Sequence, residues 1–492
     1  MIDLNRRMAN GAAWMVLLRF VERGIGVVST IILARMLVPA DFGVVAMAMS
    51  VYGALEIMTS FSFDLALIQN RKATDAHYDT AWTFNVLFGL FLLLGLLALA
   101  WPTAEFYADA RVGPVMMWLG VAALVRGFEN IGVIQFQRDL NLVQEFKLGL
   151  ARKVVGFMVT ISFALAWQSY WALIAGIMAQ RVTGLVMSYV LHPYRPRFSL
   201  AAKGELLEFT KWLALNNVVL FIVHRANDFI VGRIAGPAAL GAYAVAYEIA
   251  NLPTTELVFP ISRAVFPGFS TIAHDRAQLK TLFLQVLALI AWFTVPICAG
   301  MLVLAEPLVL LLLGEKWRLA IPLIHILVVF GALRSLTSNA GNVYLAVGSP
   351  STITKMTLLF LAILLPCSIL GTQRYGAVGA AGAVVVAAAL QFLVLARSIA
   401  KLLSIRWSEY LAILWRPVLA SALLAWATSQ LDSTLDEHAL GSAIRLFAGI
   451  AAGAAVYLAG VGAMWLASGR GAGTESFLFE VATKFWKARR AA

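Results

Sequence analysis

Long apolar runs alternate with short polar connections along nearly the whole chain, from residue 12 to residue 467. A helix needs about 20 mostly apolar residues to cross the hydrocarbon core of a bilayer. The runs are close to this length, so the pattern predicts about fourteen membrane-spanning helices. The predicted spans are residues 12–34, 42–62, 80–101, 114–135, 148–167, 171–191, 211–232, 241–262, 283–304, 321–346, 356–371, 377–396, 411–430 and 443–467.

The pattern also contains an internal repeat, which a shift of 198 residues reveals. Under this shift Trp14 falls on Trp212, Leu17 on Leu215, Arg35 on Arg233, Pro39 on Pro237, Ala40 on Ala238, Gly43 on Gly241, Ala46 on Ala244 and Ala48 on Ala246. Internal repeats of membrane helices are typical of transporters. Six spans per copy is an even number, so the two copies have the same orientation and are related by an axis along the membrane normal.

The repeat divides the chain into three predicted parts. Residues 1–195 form an N-terminal six-helix bundle and residues 196–400 a C-terminal six-helix bundle. Residues 401–492 add two further membrane helices and a basic cytoplasmic tail. The predicted fold is therefore an all-α polytopic membrane protein with two parallel repeats around a central lumen. Residues 199–210 and 474–490 have the pattern of amphipathic surface helices, although the second segment also fits a solubilising tail.

Composition supports a membrane location. Of the 492 residues, 61% are apolar and 13% are charged, and the mean hydropathy is +0.83. Soluble domains have about 25% charged residues. No soluble core can bury this much apolar surface, so lipid must be the solvent.

The net charge of +12 reflects the connections between spans and does not indicate nucleic-acid binding. With the N-terminus in the cytoplasm, about 25 Lys and Arg residues lie in inner connections and about six in outer ones, which is the bias expected of inner loops. The bias predicts an even number of spans and two cytoplasmic termini.

Charged residues inside the spans are the main candidates for function, because each costs about 2.5–3.5 kcal/mol to insert unless it has a partner or a wet cavity. Spans 1, 2, 7 and 8, which open the two repeats, contain Arg19, Glu22, Arg23, Glu56, His224, Arg225, Asp228, Glu248 and Glu256. If these spans face each other, they enclose a polar lumen between the halves.

Three pairs of opposite charge stand three residues apart, a spacing that places both side chains on one helix face. They are Arg19 with Glu22, Arg126 with Glu129, and Arg225 with Asp228. One interpretation is that these pairs neutralise themselves and fasten helices together. Arg23, Arg181 and Arg334 have no such local partner, although Arg181 can also serve packing.

The carboxylates Glu56, Glu248 and Glu256 are candidates for proton coupling, because a desolvated carboxylate has a raised pKa. Glu256 can alternatively extend its side chain to the membrane surface. Pro253 and Pro260 interrupt span 8, since proline removes a backbone hydrogen bond; the bend is either an ordinary kink or a gate.

The sequence contains no pattern for an enzyme, a metal site or a bound cofactor. No Ser/His/Asp set, metal-ligand cluster or phosphate-binding glycine loop is present. Cys298 and Cys367 lie inside apolar runs and are interpreted as small core residues.

The segment LARMLVPADFG at 33–43 resembles the opening of bacterial polysaccharide flippases, the Wzx-type transporters of lipid-linked oligosaccharides in the MOP superfamily. QRDLN at 137–141, LLGEKWRLAIPL at 312–323 and YLAVGSP at 344–350 are similar to segments of the same family. The resemblance covers about residues 1–400 and is loose beyond them.

The resemblance implies alternating-access transport of a polyprenyl-diphosphate-linked oligosaccharide from the cytoplasmic to the periplasmic leaflet of the bacterial inner membrane. The glycan would serve O-antigen, capsule or exopolysaccharide assembly, with membrane lipids and polysaccharide polymerase machinery as partners. It also implies a basic lumen, for which the candidate residues are Arg19, Arg23, Arg181, Arg225 and Arg334. Structural roles at two outer turns are expected for Arg35, Pro39, Gly43, Arg233, Pro237 and Gly241.

Two other functions stay open. A multidrug or cation antiporter of the same superfamily would use unpaired acids in the lumen, and Glu56 and Glu248 favour that alternative. A membrane-bound enzyme of glycan assembly would need a sizeable soluble domain or a long external loop, and no connection exceeds about 25 residues.

Overall fold

The computed structural model describes residues 2–59, 63, 67–68, 73–139 and 141–468, without the side chains of residues 2–13, 16, 58, 205–220 and 224. The predicted basic tail, with its amphipathic segment 474–490, lies outside the described residues.

Every regular element in these ranges is helical, as the apolar runs predict. The helices are α1 (Ile2–Met36), α2 (Pro39–Met58), α3 (Asp75–Tyr107), α4 (Val112–Gly127), α5 (Ile134–Arg138), α6 (Leu142–Trp167), α7 (Trp171–Leu191), α8 (Lys203–Pro253), α9 (Phe259–Thr271), α10 (Arg276–Val303), α11 (Ala305–Leu312), α12 (Ala320–Ala346), α13 (Pro350–Leu403), α14 (Trp407–Glu437) and α15 (Ser442–Ala467). Within the described ranges, ten helical stretches are long and apolar enough to cross a membrane, and the bent pair of α4 and α5 is an eleventh.

Two of the long helices each contain two predicted spans, because a glycine breaks them. Gly236 in α8 has φ 83° and Gly376 in α13 has φ 59°, backbone conformations that glycine adopts without steric cost. A Cβ built on Gly379 would lie 1.9 Å from the carbonyl oxygen of Gly371, so the halves of α13 fold back on each other. With these breaks, helices occupy each predicted span over the residues described, but span 114–135 is divided between α4 and α5 and span 241–262 between α8 and α9.

The chain forms two compact units, residues 1–241 and 242–492. The contacts thus divide the chain later than the predicted end of the first bundle at residue 195, and the three-part division stays a prediction. In the N-terminal unit α3 packs on α4, α6 on α7, and α1 on α6. Phe63, Tyr78 and Trp82 are buried in one core of this unit.

The connection after α7 is bound to the first turns of α3. Asp79 accepts hydrogen bonds from the Tyr194 hydroxyl and the Arg197 amide, each at 2.7 Å. The hydroxyl of Thr80 accepts from the Ala202 amide at 3.2 Å. The predicted surface helix at 199–210 is therefore not a separate element, because residues 199–202 are non-helical and α8 begins at Lys203.

The C-terminal unit contains the predicted break of span 8. A π-helical turn, Thr254–Val258, directly follows Pro253. The hydroxyls of Thr254 and Ser335 are 2.8 Å apart and join this turn to α12. The predicted interruption by proline is thus a local change of helix type, of a kind that often lies at functional sites.

Candidate functional site

A cavity of about 850 Å³ lies inside the N-terminal unit, between α1, α2, α3, α4, α6 and α7. Seven charged residues line it: Glu22, Glu56, Arg126, Glu129, Glu145, Arg152 and Arg181. Charged residues inside membrane-spanning helices usually mark a functional site. The cavity is therefore the candidate functional site.

Arg126 binds Glu56 rather than the predicted neighbour Glu129. The Nη1 atom of Arg126 donates to Oε1 of Glu56 at 2.6 Å, and the Tyr52 hydroxyl donates to the same oxygen at 3.2 Å. The prediction required one continuous helix, but α4 ends at Gly127. Glu129 therefore lies in the following turn, outside the face that a spacing of three residues defines.

Glu129 forms an ion pair with Arg152 on α6, where Nη2 and Oε2 are 2.5 Å apart. Gly184 on α7 makes room for this pair, because a Cβ there would lie 2.6 Å from both Arg152 Nε and Glu129 Oε1. The pair was not predicted, because Arg152 lies within the predicted span 148–167 but was not among the candidate residues. Helix α6 begins at Leu142, so Arg152 lies on its third turn.

Arg181 on α7 differs from the other arginines of the cavity. Within the described part of the chain it has no hydrogen bond or ion pair, although its charge interacts with those of Arg126, Glu129 and Glu56. Arg126 and Arg152 each already bind a carboxylate. Arg181 is therefore the cavity arginine with its donors available for an anionic ligand. Two of the residues predicted from the sequence, Arg181 and Glu56, thus line the same cavity.

The other candidates of the N-terminal unit are not among the residues that line the cavity. Arg19 and Arg23 are on α1, flanking the lining residue Glu22. Arg225 binds Asp228 at 2.8 Å, which is the pair that the spacing of three residues predicts. This spacing succeeds because α8 is continuous there.

Three candidates lie in the C-terminal unit. Arg334 donates to the Tyr247 hydroxyl at 3.1 Å and to Asn251 Oδ1 at 3.4 Å. Glu248 is exposed on α8, and Glu256 is exposed in the π-helical turn. Their predicted roles in substrate binding and proton coupling stay predictions.

The repeated turn residues contact their counterparts in the other copy. A Cβ on Gly43 would lie 1.8 Å from the carbonyl oxygen of Pro237, and a Cβ on Gly241 would lie 1.8 Å from that of Pro39. Only glycine permits two backbones to approach so closely. The sequence pattern shows the two copies but not their contact.

Arg233 lies over the Phe106 ring with 5.8 Å from its guanidinium carbon to the ring centroid, and Arg35 is exposed at the end of α1. Arg233 thus contacts an aromatic ring, and the structural roles expected for Arg35 and Arg233 at the two turns stay predictions.

The chain matches a known protein family. The family model described as "Polysaccharide biosynthesis protein" matches residues 32–322. The lipopolysaccharide biosynthesis protein WzxC of Escherichia coli (strain K12) is 24% identical over 384 residues, which are 77% of this chain and 78% of that protein. The succinoglycan biosynthesis transport protein ExoT of Rhizobium meliloti (strain 1021) is 23% identical over 465 residues, 92% of each chain.

A solved structure of the lipid II flippase MurJ, in an inward closed conformation, has the same fold. It matches with a TM-score of 0.73 at 13% identity and covers 92% of this chain and 98% of its own. The predicted polytopic all-helical class is thereby confirmed. Since the family model spans more than half of the residues, the chain belongs to the polysaccharide biosynthesis protein family, and its resemblance to Wzx-type flippases of the MOP superfamily is confirmed.

Proposed function

We propose that the protein moves a polyprenyl-diphosphate-linked oligosaccharide from the cytoplasmic to the periplasmic leaflet of a bacterial inner membrane by alternating access, as a transporter and not as an enzyme. The observation that carries the proposal is Arg181, an arginine with available donors in a large polar cavity, in a chain of the polysaccharide biosynthesis family.

The chemistry of the cavity suits the polar part of such a substrate. A diphosphate and its sugars cannot enter hydrocarbon without partners, whereas a polyprenyl tail is stable there. The planar guanidinium of Arg181 can donate two parallel hydrogen bonds to phosphate oxygens. Neutral polar side chains such as Asn85 and Gln137 also line the cavity and can bind sugar hydroxyls.

The location of the cavity fits uptake from the cytoplasmic side. Its lining includes Glu129 and Gln137, and Gln137 donates to Glu145 at 2.7 Å across the turn between α5 and α6. The distribution of Lys and Arg predicts this turn to be cytoplasmic. We propose accordingly that both termini are cytoplasmic and that polymerase machinery acts on the product at the opposite surface.

The ion pairs of the cavity weaken the multidrug alternative, because a cationic drug needs a carboxylate that is not already neutralised. Glu56 binds Arg126 and Glu129 binds Arg152, so two of the four lining carboxylates are neutralised, whereas Glu145 is bonded to the uncharged Gln137. Proton coupling through Glu56, Glu248 or Glu256 remains part of the proposal. Unchanged transport after each of the three is replaced by glutamine would refute it.

The function is tested in vesicles that contain the purified protein and a polyprenyl-diphosphate oligosaccharide with a fluorescent sugar. An external quencher reports which leaflet holds the sugar. We expect Arg181→Gln to slow movement at least about tenfold, because a charge-assisted contact to phosphate is lost. Arg276→Gln, at an exposed arginine outside the cavity lining, is the matched control and should transport at the wild-type rate.

Wild-type protein that moves no lipid-linked glycan but exports a cationic dye would replace the flippase proposal with the drug-exporter alternative. Movement that is equal in wild type and Arg181→Gln would retain the flippase and reject this site.

A further inference from the structure

The ion pair between Arg126 and Glu56 lies beside Arg181 in the same cavity. Its side chains are more exposed than those of the second ion pair of the cavity, Arg152 with Glu129. We propose that Glu56 is a resident anion: it binds Arg126 before substrate arrives and then yields this arginine to the diphosphate, which Arg126 and Arg181 bind together. The inference rests on the proposed flippase function and assigns Glu56 and Arg126 a role in setting substrate affinity.

The two ion pairs of the cavity differ in whether a ligand can replace one partner. The side chains of Arg126 and Glu56 are 51% and 36% exposed, whereas those of Arg152 and Glu129 are 32% and 18% exposed. Gly184 backs the second pair so closely that no heavy atom fits between them. The second pair is thus fixed between the turn after α4, α6 and α7, while the first is open to solvent and to a ligand in the cavity.

The charges around the first pair favour a second anion. Arg126 and Arg181 are close enough for their like charges to repel, and Glu56 is the carboxylate in ion-pair contact with Arg126. Glu129 also interacts with Arg181, but its carboxylate is bound to Arg152, so Glu56 is the carboxylate that a ligand can displace from this pair of arginines. A diphosphate carries two adjacent anionic groups and can bind both guanidinium groups, which a single carboxylate cannot do.

The hydrogen bonds of the pair allow such an exchange. Arg126 donates to Glu56 through Nη1 alone, and a guanidinium has five N–H donors, so a phosphate can begin to bind before the carboxylate leaves. The Tyr52 hydroxyl, which donates to Glu56, can donate to a phosphate oxygen instead.

This exchange lowers the affinity of the site for the diphosphate. Part of the binding free energy of the diphosphate is used to displace Glu56, so the lipid head group is bound less tightly and is released more easily on the far side. A monophosphate, with one anionic group, gains less from the second arginine. The site should therefore discriminate between lipid diphosphates and lipid monophosphates.

The test measures binding of undecaprenyl diphosphate and undecaprenyl monophosphate to the full chain in lipid nanodiscs. We expect Glu56→Gln to bind the diphosphate about fivefold more tightly than wild type, the effect expected when a competing ion pair open to water is removed. Glu56→Asp, which shortens the side chain by one methylene, should shift affinity in the same direction. Arg181→Gln should bind the diphosphate more weakly.

Glu409→Gln is the matched control. It removes a carboxylate that binds Lys280 at 2.8 Å and that lies on α14, outside the cavity lining, and it should leave both affinities unchanged.

Equal or weaker diphosphate binding by both Glu56 variants would overturn the inference, because Glu56 would then only position Arg126. That result leaves the proposed function intact if wild type still binds the diphosphate more tightly than the monophosphate and transports the labelled glycan. Wild-type protein that binds neither lipid would instead overturn the proposed head-group site, and this inference with it.

Discussion

His192 holds the chain that leaves α7 against the N-terminal unit, and its bonding requires a neutral ring. Its Nδ1 accepts the Tyr194 amide at 3.2 Å, and its Nε2 lies 3.1 Å from Gln135 Oε1. In a protonated ring Nδ1 would carry a hydrogen and could not accept a hydrogen bond from the Tyr194 amide. Burial and the neighbouring charge of Arg195 lower the pKa of His192, against a smaller opposing effect of Asp139.

A pH dependence of stability follows from this lowered pKa. Because the unfolded chain takes up the proton first, the contribution of His192 is fully present above about pH 6.5 and is lost as the pH falls through the folded pKa. We expect the fall in Tm between pH 7.5 and 5.5 to be smaller by about 1 °C or more in His192→Asn, whose Oδ1 can accept the same amide but does not titrate. Equal pH dependence of wild type and variant in thermal unfolding scans would contradict this account.

At the scale of residues, sequence rules worked where a helix is continuous and failed where it ends. The spacing of three residues identified the pair of Arg225 and Asp228 on α8. It failed for Arg126, because α4 ends before Glu129 and both side chains turn to partners on other helices. The role of Gly184 was not predictable, since no local pattern shows that a glycine on α7 must make room for a pair between α6 and the turn after α4.

At the scale of elements, the two repeated turns bring their backbones into close contact. Pro39 begins α2 and Gly43 follows one turn later. Pro237 and Gly241 stand in the same relation just after the break of α8 at Gly236. The backbone carbonyl of the proline in the other copy lies directly against each glycine. Neither position therefore has room for a side chain.

Replacing one of these glycines should therefore destabilise the protein. We expect Gly43→Ala to lower stability by about 1–3 kcal/mol, because its Cβ would lie 1.8 Å from the Pro237 carbonyl oxygen and the backbones must separate. Gly300→Ala, in α10 with no atom within 4 Å of the added Cβ, is the control and should be neutral or slightly stabilising. Thermal unfolding of the purified variants measures both, and an equal effect of the two would refute the crowding argument.

The apolar pattern was sufficient to predict the helices but not how they join. Fourteen runs have helices in their places, yet α8 and α13 continue through two runs each. The breaks depend on a positive φ at Gly236 and Gly376, and a glycine in an apolar run does not by itself show which conformation it adopts.

At the scale of the whole molecule, the two helices beyond the repeats are bound into the C-terminal unit. Helix α14 packs on α10, and the Tyr457 hydroxyl on α15 donates to the Trp292 carbonyl at 2.7 Å. Arg445 joins the two helices through a double hydrogen bond to Asp432 at 2.8 Å and a contact with Asp436. The sequence predicted this pair of helices as an addition, but not that a buried arginine fastens them.

Loss of this arginine should loosen the pair. Since the Arg445 side chain is only 8% exposed, Arg445→Met would leave carboxylates without their cation, and we expect a loss of about 3 kcal/mol. Arg318→Met is the comparison: that arginine binds Glu315 and Glu306 but is 56% exposed, so the loss should stay below about 1 kcal/mol. Thermal unfolding of both variants decides the matter, and similar Tm values would show that burial does not set the strength of these contacts.

The reciprocal contact of Gly43 with Pro237 and of Gly241 with Pro39 also limits how the two halves of the gene can diverge. After a duplication each copy is usually free to change alone, but here a side chain gained in one copy meets the backbone of the other. The two positions are therefore under one joint constraint, while most of the repeat can drift. In aligned relatives we expect small residues to persist at both positions together, and a family branch with a bulky residue at only one of them would contradict this expectation.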